Sequence, residues 1–217
     1  MKIFKTLNIN PTNVNLYYEA FTHTSYSNEN PSMESYERLE FLGDAILEFI
    51  VSDYLYKERH LPEGIMTRTR ARYVCEEALA TYAKDLNFAD DIKLGGGELE
   101  TGPNDTILAD VFEAFIAACY LDKGLDFTKE LVLSIVTDYI EKNVDFLHDY
   151  KSTLQELVQT DKKSVSYEIV SETGPSHDKT FICNVLVDGI ILGQGSGGSK
   201  KQAEQMAAKE ALKKQAK

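Results

Sequence analysis

The chain of 217 residues exceeds one average domain, and its hydrophobic content of 43% is enough to build a sizeable core. We expect neither a secretion signal nor a membrane span, because the first residues lack a continuous apolar stretch and no run approaches the roughly 18 apolar residues that a span needs. The formal net charge of −12 argues at first against a nucleic-acid partner, since phosphate binding normally needs a basic surface.

The three cysteines indicate a reducing compartment. Cys75, Cys119 and Cys183 are odd in number and widely spaced, and no two of them have the spacing of a metal site. They are therefore expected to be reduced thiols in a cytoplasmic protein, and we assign them no role.

The first informative helix in the chain contains Glu40 and Asp44. Their spacing of four puts both carboxylates on one face of the helix. Apolar residues recur around them at helical spacing, namely Leu39, Leu42, Ile46, Phe49 and Ile50. This helix is predicted to be buried on most sides.

A second acidic pair, Asp110 and Glu113, is also predicted to lie on one face of an apolar helix. Its spacing of three again puts both carboxylates on one helix face, among Leu108, Val111, Phe112, Phe115 and Ile116. Small residues would let the two helix backbones approach closely enough for the four acids to converge: Gly43 and Ala45 on the first helix, Ala114 and Ala117 on the second.

Four carboxylates at the edge of one core are unfavourable unless something stabilises their negative charge. Moving a lone ionised carboxylate out of water costs several kcal/mol of free energy. A bound cation or raised pKa values must therefore offset this cost. A divalent metal is the simplest solution, and oxygen-only ligands favour Mg²⁺ or Mn²⁺ over zinc. The alternative is a solvated acidic face, but neither pair has a Lys or Arg three or four positions away.

The hydrophobic periodicity of the sequence changes between Asn143 and Tyr150, after a long helical first part. The sequence beyond this point predicts a helix, three strands and a second helix. The signals are a capping box at Ser152–Gln155, alternating apolar residues at 165–169 and 181–187, a hairpin turn at Asp188–Gly189, and a second capping box at Ser199–Gln202.

Charge is divided unevenly between the two parts. Residues 151–217 carry a net charge of +2, which leaves −14 for residues 1–150. Lys200 and Lys201 fall in the first turn of the last helix, where the helix dipole disfavours a cation and an anion would compensate. With the glycine-rich approach at 193–198 this suits a phosphate group. The alternative is that the lysines are ordinary surface residues and the glycines only turn the chain.

Residues Glu37–Leu47 (ERLEFLGDAIL) resemble the signature of the ribonuclease III family. Four further segments occur in the family's order. His23–Tyr26 lies before the signature, and Leu61–Gly64, Leu94–Glu98 and Ile107–Ala114 lie after it. The resemblance implies an all-α N-terminal endonuclease domain over residues 1–147. It also implies that Glu40, Asp44, Asp110 and Glu113 bind Mg²⁺, for which Mn²⁺ can substitute, with Asp44 and Glu113 catalytic. Thr24 and Ser35-Tyr36 depart from the family pattern.

Residues 148–217 resemble a double-stranded-RNA-binding domain, an α+β fold with the order α-β-β-β-α. The resemblance implies recognition of A-form shape through minor grooves and phosphates. The implied contact residues are Thr153, Gln155, Glu156, Gly174, Pro175, Ser176, His177, Ser199, Lys200 and Lys201. His177 alone would be an ordinary loop histidine, and His23, His60 and His148 are expected to have packing or surface roles.

The resemblance as a whole implies hydrolysis of double-stranded RNA to 5′-phosphate and 3′-hydroxyl ends, with ribosomal RNA precursors and other structured transcripts as substrates. It implies a homodimer with Phe41 at the interface, although Phe41 could instead belong to the core. Glu37 and Glu63 either assist the acids or merely lie near them. Two rival functions are a non-cleaving RNA-binding scaffold, disfavoured by the intact acids, and a small-phosphoester hydrolase, disfavoured by the RNA-binding pattern.

Overall fold

The computed structural model describes residues 1–147, 149–160, 163–174 and 179–215. The chain forms two compact units, Met1–Leu147 and His148–Lys217. The first unit is helical, and the second combines two helices with a three-stranded sheet, so the predicted fold class is confirmed. In the described part of the chain, no helix is both long enough and apolar enough to cross a membrane.

The first unit consists of α-helices joined by short connections. Its α-helices are α1 (Ile3–Thr6), α2 (Val14–Ala20), α3 (Thr24–Glu29), α4 (Glu37–Tyr54), α5 (Glu63–Tyr73), α6 (Glu76–Asp85), α7 (Gly96–Leu99), α8 (Asp105–Lys123) and α9 (Leu125–Glu141). A π-helical turn at Leu55–Arg59 extends α4, and a short 3₁₀ turn lies at Phe88–Asp90.

Helix α8 runs through the centre of this unit. Its apolar residues occur on nearly all sides of the helix, which is typical of a helix buried in a core. Residues Val111, Phe112 and Ala114–Cys119 are fully buried. Helices α4 and α6 make the most extensive contacts with α8.

The buried face of α4 differs from the predicted stripe. Leu39, Ile46, Leu47, Ile50 and Val51 are buried, and these positions form one continuous face toward α8. Phe49 lies outside that face and is 53% exposed, so its assignment to the stripe was wrong. Ala45 is also exposed and takes no part in the helix contact, which was expected to include it.

A short pairing between distant segments fixes the start of α4. The backbone of Thr22 forms a parallel bridge with Lys93. The carbonyl of Thr22 then accepts the backbone N–H of Tyr36 at 3.0 Å, and Tyr36 immediately precedes α4. Three parts of the sequence therefore meet beside the first acidic pair.

The second unit has the predicted order of elements. It contains α10 (Tyr150–Thr160), β1 (Val165–Thr173), β2 (Thr180–Val187), β3 (Ile190–Gly197) and α11 (Lys200–Gln215), with an antiparallel sheet in the order β1-β2-β3. Asp188 and Gly189 both have positive φ, 49° and 80°, as a two-residue hairpin turn requires. The core lies between β2 and the helices, around Leu154, Cys183, Val185 and Ala207.

Of the two helix caps predicted for this unit, one is confirmed and the other is wrong. The Ser199–Gln202 cap is confirmed, because Ser199 Oγ accepts the Gln202 N–H at 3.2 Å and Gln202 Oε1 accepts the Gly198 N–H at 2.8 Å. The Ser152–Gln155 box is wrong as a helix start. Helix α10 already begins at Tyr150, and the carboxylate of Asp149 accepts the Ser152 N–H at 3.2 Å.

The glycine run at 193–197 is part of strand β3 and not a loop. An ideal β-carbon on Gly195 would lie 2.1 Å from the backbone nitrogen of Ala207, and one on Gly193 would lie 2.4 Å from the Ala207 carbonyl oxygen. These glycines are therefore needed because helix α11 packs directly on the strand. The sequence indicated that this run is a loop leading to a bound phosphate. For residues 193–197 this interpretation was wrong, because they belong to the strand.

Candidate active site

Helices α4 and α8 place the two acidic pairs side by side. The helices touch at Gly43, where an ideal β-carbon would come within 1.8 Å of the Glu113 carbonyl oxygen. Only glycine permits this approach. Because Gly43 precedes Asp44 and follows Glu40 by less than one turn, the contact brings the acids of α4 to the level of Glu113.

Glu113 is the most perturbed of the four acids. Burial, followed by the charges of Asp44, Glu40, Asp110 and Glu48, raises the pKa of Glu113 to about 8. Desolvation and like charges both disfavour the ionised form, so a carboxylate in this position takes up a proton or a cation readily.

Glu40 and Asp110 share the same environment. Burial raises the pKa of Glu40, and the nearby charges of Asp110, Glu37 and Asp44 raise it further. The pKa of Asp110 is also raised, first by burial, although a hydrogen bond from Tyr36 and the nearby His23 act in the opposite direction. Each of the four acids is thus within electrostatic reach of others in the set.

The donor set fits a hard divalent cation. All four side chains offer only oxygen, which Mg²⁺ and Mn²⁺ prefer. Burial and the charges of neighbouring acids raise the pKa of Glu113, and a cation would compensate for both. In the described ranges, no three acidic, histidine or cysteine side chains are already arranged to enclose a metal ion. A cation would therefore have to draw these carboxylates together.

Tyr36 and His23 are site residues that the sequence reasoning missed. Tyr36 Oη donates a hydrogen bond to Asp110 Oδ2 at 3.0 Å, and the rings of Tyr36 and His23 lie 5.7 Å apart. His23 also caps α3, since its Nδ1 accepts the Ser25 N–H at 3.2 Å. The contact between Tyr36 and Asp110 has no local sequence signal, because the two residues are 74 positions apart.

Glu37 and Glu63 have different surroundings. Glu37 is exposed, accepts a hydrogen bond from Ser35 at 3.0 Å and contributes to the raised pKa of Glu40, so it lies at the edge of the acidic site. Glu63 accepts the hydroxyl of Thr67 at 2.9 Å and lines a separate cavity of about 200 Å³ with Arg70. Among the described contacts of Glu63, none involves the four acids.

Phe41 projects from α4 into solvent, with 82% of its surface exposed. It contributes nothing to the core of this chain, so the core alternative was wrong. Phe41 lies on the helix that also carries Glu40 and Asp44.

In the second unit, the described RNA-contact candidates all lie at the surface. Thr153, Gln155 and Glu156 are on the side of α10 opposite the buried Leu154 and Val158, and Gly174, Ser199, Lys200 and Lys201 are likewise exposed. Gly174 has a positive φ of 97°. Pro175, Ser176, His177 and His148 lie outside the described residues.

Comparison with protein families assigns each unit. Residues 13–139 match the family model described as Ribonuclease-III-like, and residues 150–215 match the double-stranded RNA binding motif. The two matches fall within the two compact units.

Curated relatives and solved structures agree with these matches. The chain is 47% identical to Ribonuclease 3 of Onion yellows phytoplasma (strain OY-M), over 99% of this chain and 91% of that protein. It is 48% identical to Ribonuclease 3 of Streptococcus pneumoniae (strain Taiwan19F-14), over 94% and 90%. The nuclease domain of ribonuclease III from Campylobacter jejuni superposes with a TM-score of 0.58 at 34% identity, covering 63% of this chain and 95% of that domain.

Proposed function

Since the chain belongs to the ribonuclease III family of double-stranded-RNA endoribonucleases, we propose that residues 1–147 are its catalytic domain and residues 148–217 its RNA-binding domain. The observation that carries the catalytic assignment is the close contact of Gly43 with the Glu113 backbone, which brings the two acidic pairs together. Burial and the charges of Asp44, Glu40 and Asp110 raise the pKa of Glu113 there. Such a perturbed carboxylate cluster is typical of an active site.

We propose that Glu40, Asp44, Asp110 and Glu113 hold a divalent cation, Mg²⁺ with Mn²⁺ as a substitute. A cation in such a site supplies an activated water and stabilisation of the leaving oxygen. Asp44 and Glu113 are the proposed catalytic acids, and their carboxylate oxygens orient the water by accepting its hydrogen bonds. The water oxygen bonds to phosphorus and releases one proton, while the bond from phosphorus to the 3′ oxygen breaks. The 3′ oxygen gains one proton in exchange, which gives 5′-phosphate and 3′-hydroxyl ends.

The proposed RNA contacts lie on α10, on the segment that begins at Gly174 and at the start of α11. Lys200 and Lys201 hold phosphates, while Thr153, Gln155 and Glu156 contact a minor groove, and Pro175, Ser176 and His177 contact the next one. The charge distribution supports this division, because residues 151–217 carry +2 whereas residues 1–150 carry −14. The acidic domain therefore depends on the second domain to bind RNA.

We further propose a homodimer in which each active site cuts one strand and leaves a short 3′ overhang. The exposed Phe41 supports an interface along α4. The Campylobacter jejuni structure is described as having a flexible region involved in dimer formation of the nuclease domain. Precursors of ribosomal RNA and other structured transcripts are the proposed cytoplasmic substrates, and the cysteines of the described residues are all free thiols, which suits a reducing compartment.

Cleavage of a long, perfectly paired RNA tests the proposal. Wild type, Glu113→Gln and Glu130→Gln are compared in Mg²⁺ and in EDTA, and duplex binding is measured in parallel. Glu130 is an exposed acid of α9 and serves as the matched control. We expect metal-dependent cutting by wild type and Glu130→Gln, and binding without cutting by Glu113→Gln. Binding of duplex RNA by wild type without cleavage in any divalent metal would overturn the proposal.

A further inference from the structure

We infer that Tyr36 is a positioning residue for Asp110, which orients this carboxylate as a metal ligand through the hydroxyl group of the tyrosine. The inference rests on the proposed metal site and adds a residue to it. No local sequence pattern marks Tyr36 for this role, because its partner lies 74 positions further along the chain.

Tyr36 joins the two helices that carry the acids. Tyr36 is the N-cap residue of α4, and its carbonyl oxygen accepts the backbone N–H of Glu40 at 2.9 Å. Its hydroxyl donates to Asp110 Oδ2 on α8 at 3.0 Å. One residue therefore connects Glu40 and Asp110, which belong to different acidic pairs.

The phenol ring is held firmly where it lies. Tyr36 is 4% exposed, and its backbone N–H donates to the Thr22 carbonyl at 3.0 Å. The ring of His23 packs against it at 5.7 Å, and His23 is itself held by Ser25 at 2.7 Å from Nδ1 to Oγ. The Ser25 hydroxyl oxygen also accepts the Gly95 N–H at 2.9 Å. A donor fixed in this way restricts the rotation of the carboxylate that it contacts.

The geometry leaves Asp110 available to a ligand. Tyr36 has one hydroxyl proton and donates it to Oδ2 of Asp110. Among the described hydrogen bonds none involves Oδ1, so this oxygen is available to a cation. Outer partners of this kind set the orientation of metal-binding carboxylates, and their removal typically weakens metal binding by about tenfold or more.

The chain offers a matched pair that separates positioning from simple stabilisation. Tyr17 is buried like Tyr36, and its hydroxyl donates to Asp122 Oδ2 at 3.1 Å, outside the acidic site. Tyr36→Phe and Tyr17→Phe each remove one oxygen and retain the ring. Both variants are expected to remain folded and to lose similar, small amounts of stability.

The test measures Mn²⁺ binding to the full chain by isothermal titration calorimetry without RNA, for wild type, Tyr36→Phe and Tyr17→Phe. We expect Tyr36→Phe to bind Mn²⁺ about tenfold more weakly and Tyr17→Phe to bind it like wild type. The Mg²⁺ concentration for half-maximal cleavage should rise in Tyr36→Phe alone, and saturating Mg²⁺ should restore most of its rate. In an Asp110→Asn background, Tyr36→Phe should cause no further loss of Mn²⁺ affinity.

Three results overturn the inference. Unchanged Mn²⁺ affinity in Tyr36→Phe does so while leaving the proposed function intact. Equal weakening in Tyr17→Phe shows that the loss reflects general destabilisation. Absence of both Mn²⁺ binding and RNA cleavage in wild type overturns the proposed function and this inference together, and the wild-type arm identifies that case.

Discussion

The carbonyl oxygen of Glu113 occupies the space in which a side chain on Gly43 would have to begin. An ideal β-carbon at Gly43 would lie 1.8 Å from that oxygen and 2.4 Å from its carbon. The two helices thus meet backbone to backbone beside the acids. Any larger residue at position 43 would move Glu113 away from Glu40 and Asp44.

Gly43→Ala should therefore damage both the fold and the site. We expect the free energy of unfolding to fall by about 3 kcal/mol, at the upper end of the usual range for overpacking. Denaturant unfolding followed by circular dichroism measures the change. The matched control is Gly64→Ala in α5, where a β-carbon meets nothing within 4 Å. This control lies exposed in the first turn of α5, and its free energy of unfolding should stay within about 0.5 kcal/mol of wild type. Equal stability of Gly43→Ala and wild type would contradict the close contact.

Phe41→Asp should separate the proposed dimer into monomers. A buried aromatic anchor typically contributes at least 2 kcal/mol, so we expect the dissociation constant to rise by about 30-fold or more. Sedimentation equilibrium measures it, and the monomer should stay folded because Phe41 is 82% exposed in the single chain. Leu99→Asp is the control, since Leu99 is 68% exposed on the short helix α7. A Phe41→Asp protein that sediments like wild type would exclude Phe41 from the interface.

The sequence predicted much of this site because its signals are local. The helical spacing of Glu40 with Asp44 and of Asp110 with Glu113 depends on neighbouring residues alone. The close approach at Gly43 was also predictable, since a glycine amid apolar residues suggests close packing. The contact between Tyr36 and Asp110 was not predictable, because it depends on how Thr22 and Lys93 pair ahead of α4.

The glycine run of β3 shows the limit of composition as a guide. Gly193, Gly195 and Gly197 resemble a loop in the sequence, yet they occupy a strand. Their lack of side chains makes room for the backbone of α11 at Ala207 and Ala203, and not for a ligand. Only the packing of helix on sheet distinguishes these two uses of glycine. In contrast, the alternation in β2 predicted its buried face correctly, since Phe181, Cys183, Val185 and Val187 are all buried.

Lys201→Ala should weaken binding of perfectly paired RNAs of unrelated sequence by similar factors. A phosphate contact carries no sequence information, so its loss should also reduce the slope of log affinity against log salt by about 1. Filter binding at several salt concentrations measures both effects. Lys213→Ala is the control, because Lys213 is exposed in the last turn of the same helix. Equal salt slopes for Lys201→Ala and wild type would rule out the phosphate contact.

Asp122 gives the catalytic domain a pH-dependent source of stability. Its carboxylate accepts the backbone N–H groups of Thr12 and Asn13 at 3.0 and 2.6 Å and the Tyr17 hydroxyl at 3.1 Å. Burial alone would raise the pKa of Asp122, but these hydrogen bonds and the nearby Lys123 hold it below its ordinary value of 3.8. The ionised form is therefore favoured in the folded state, and its contribution is fully present above that value.

Asp122→Asn should remove this contribution, because the amide nitrogen cannot accept the bonds that one carboxylate oxygen accepts. We expect a loss of about 2 kcal/mol in the free energy of unfolding at pH 7, within the range for hydrogen bonds to charged groups. The difference from wild type should shrink as the pH falls below 3.8 and through the lowered pKa, where the wild-type carboxyl gains its proton. Urea unfolding between pH 3 and pH 7 measures this, with Asp126→Asn as an exposed control on α9. A difference that stays constant over this range would show that the charge of Asp122 contributes nothing.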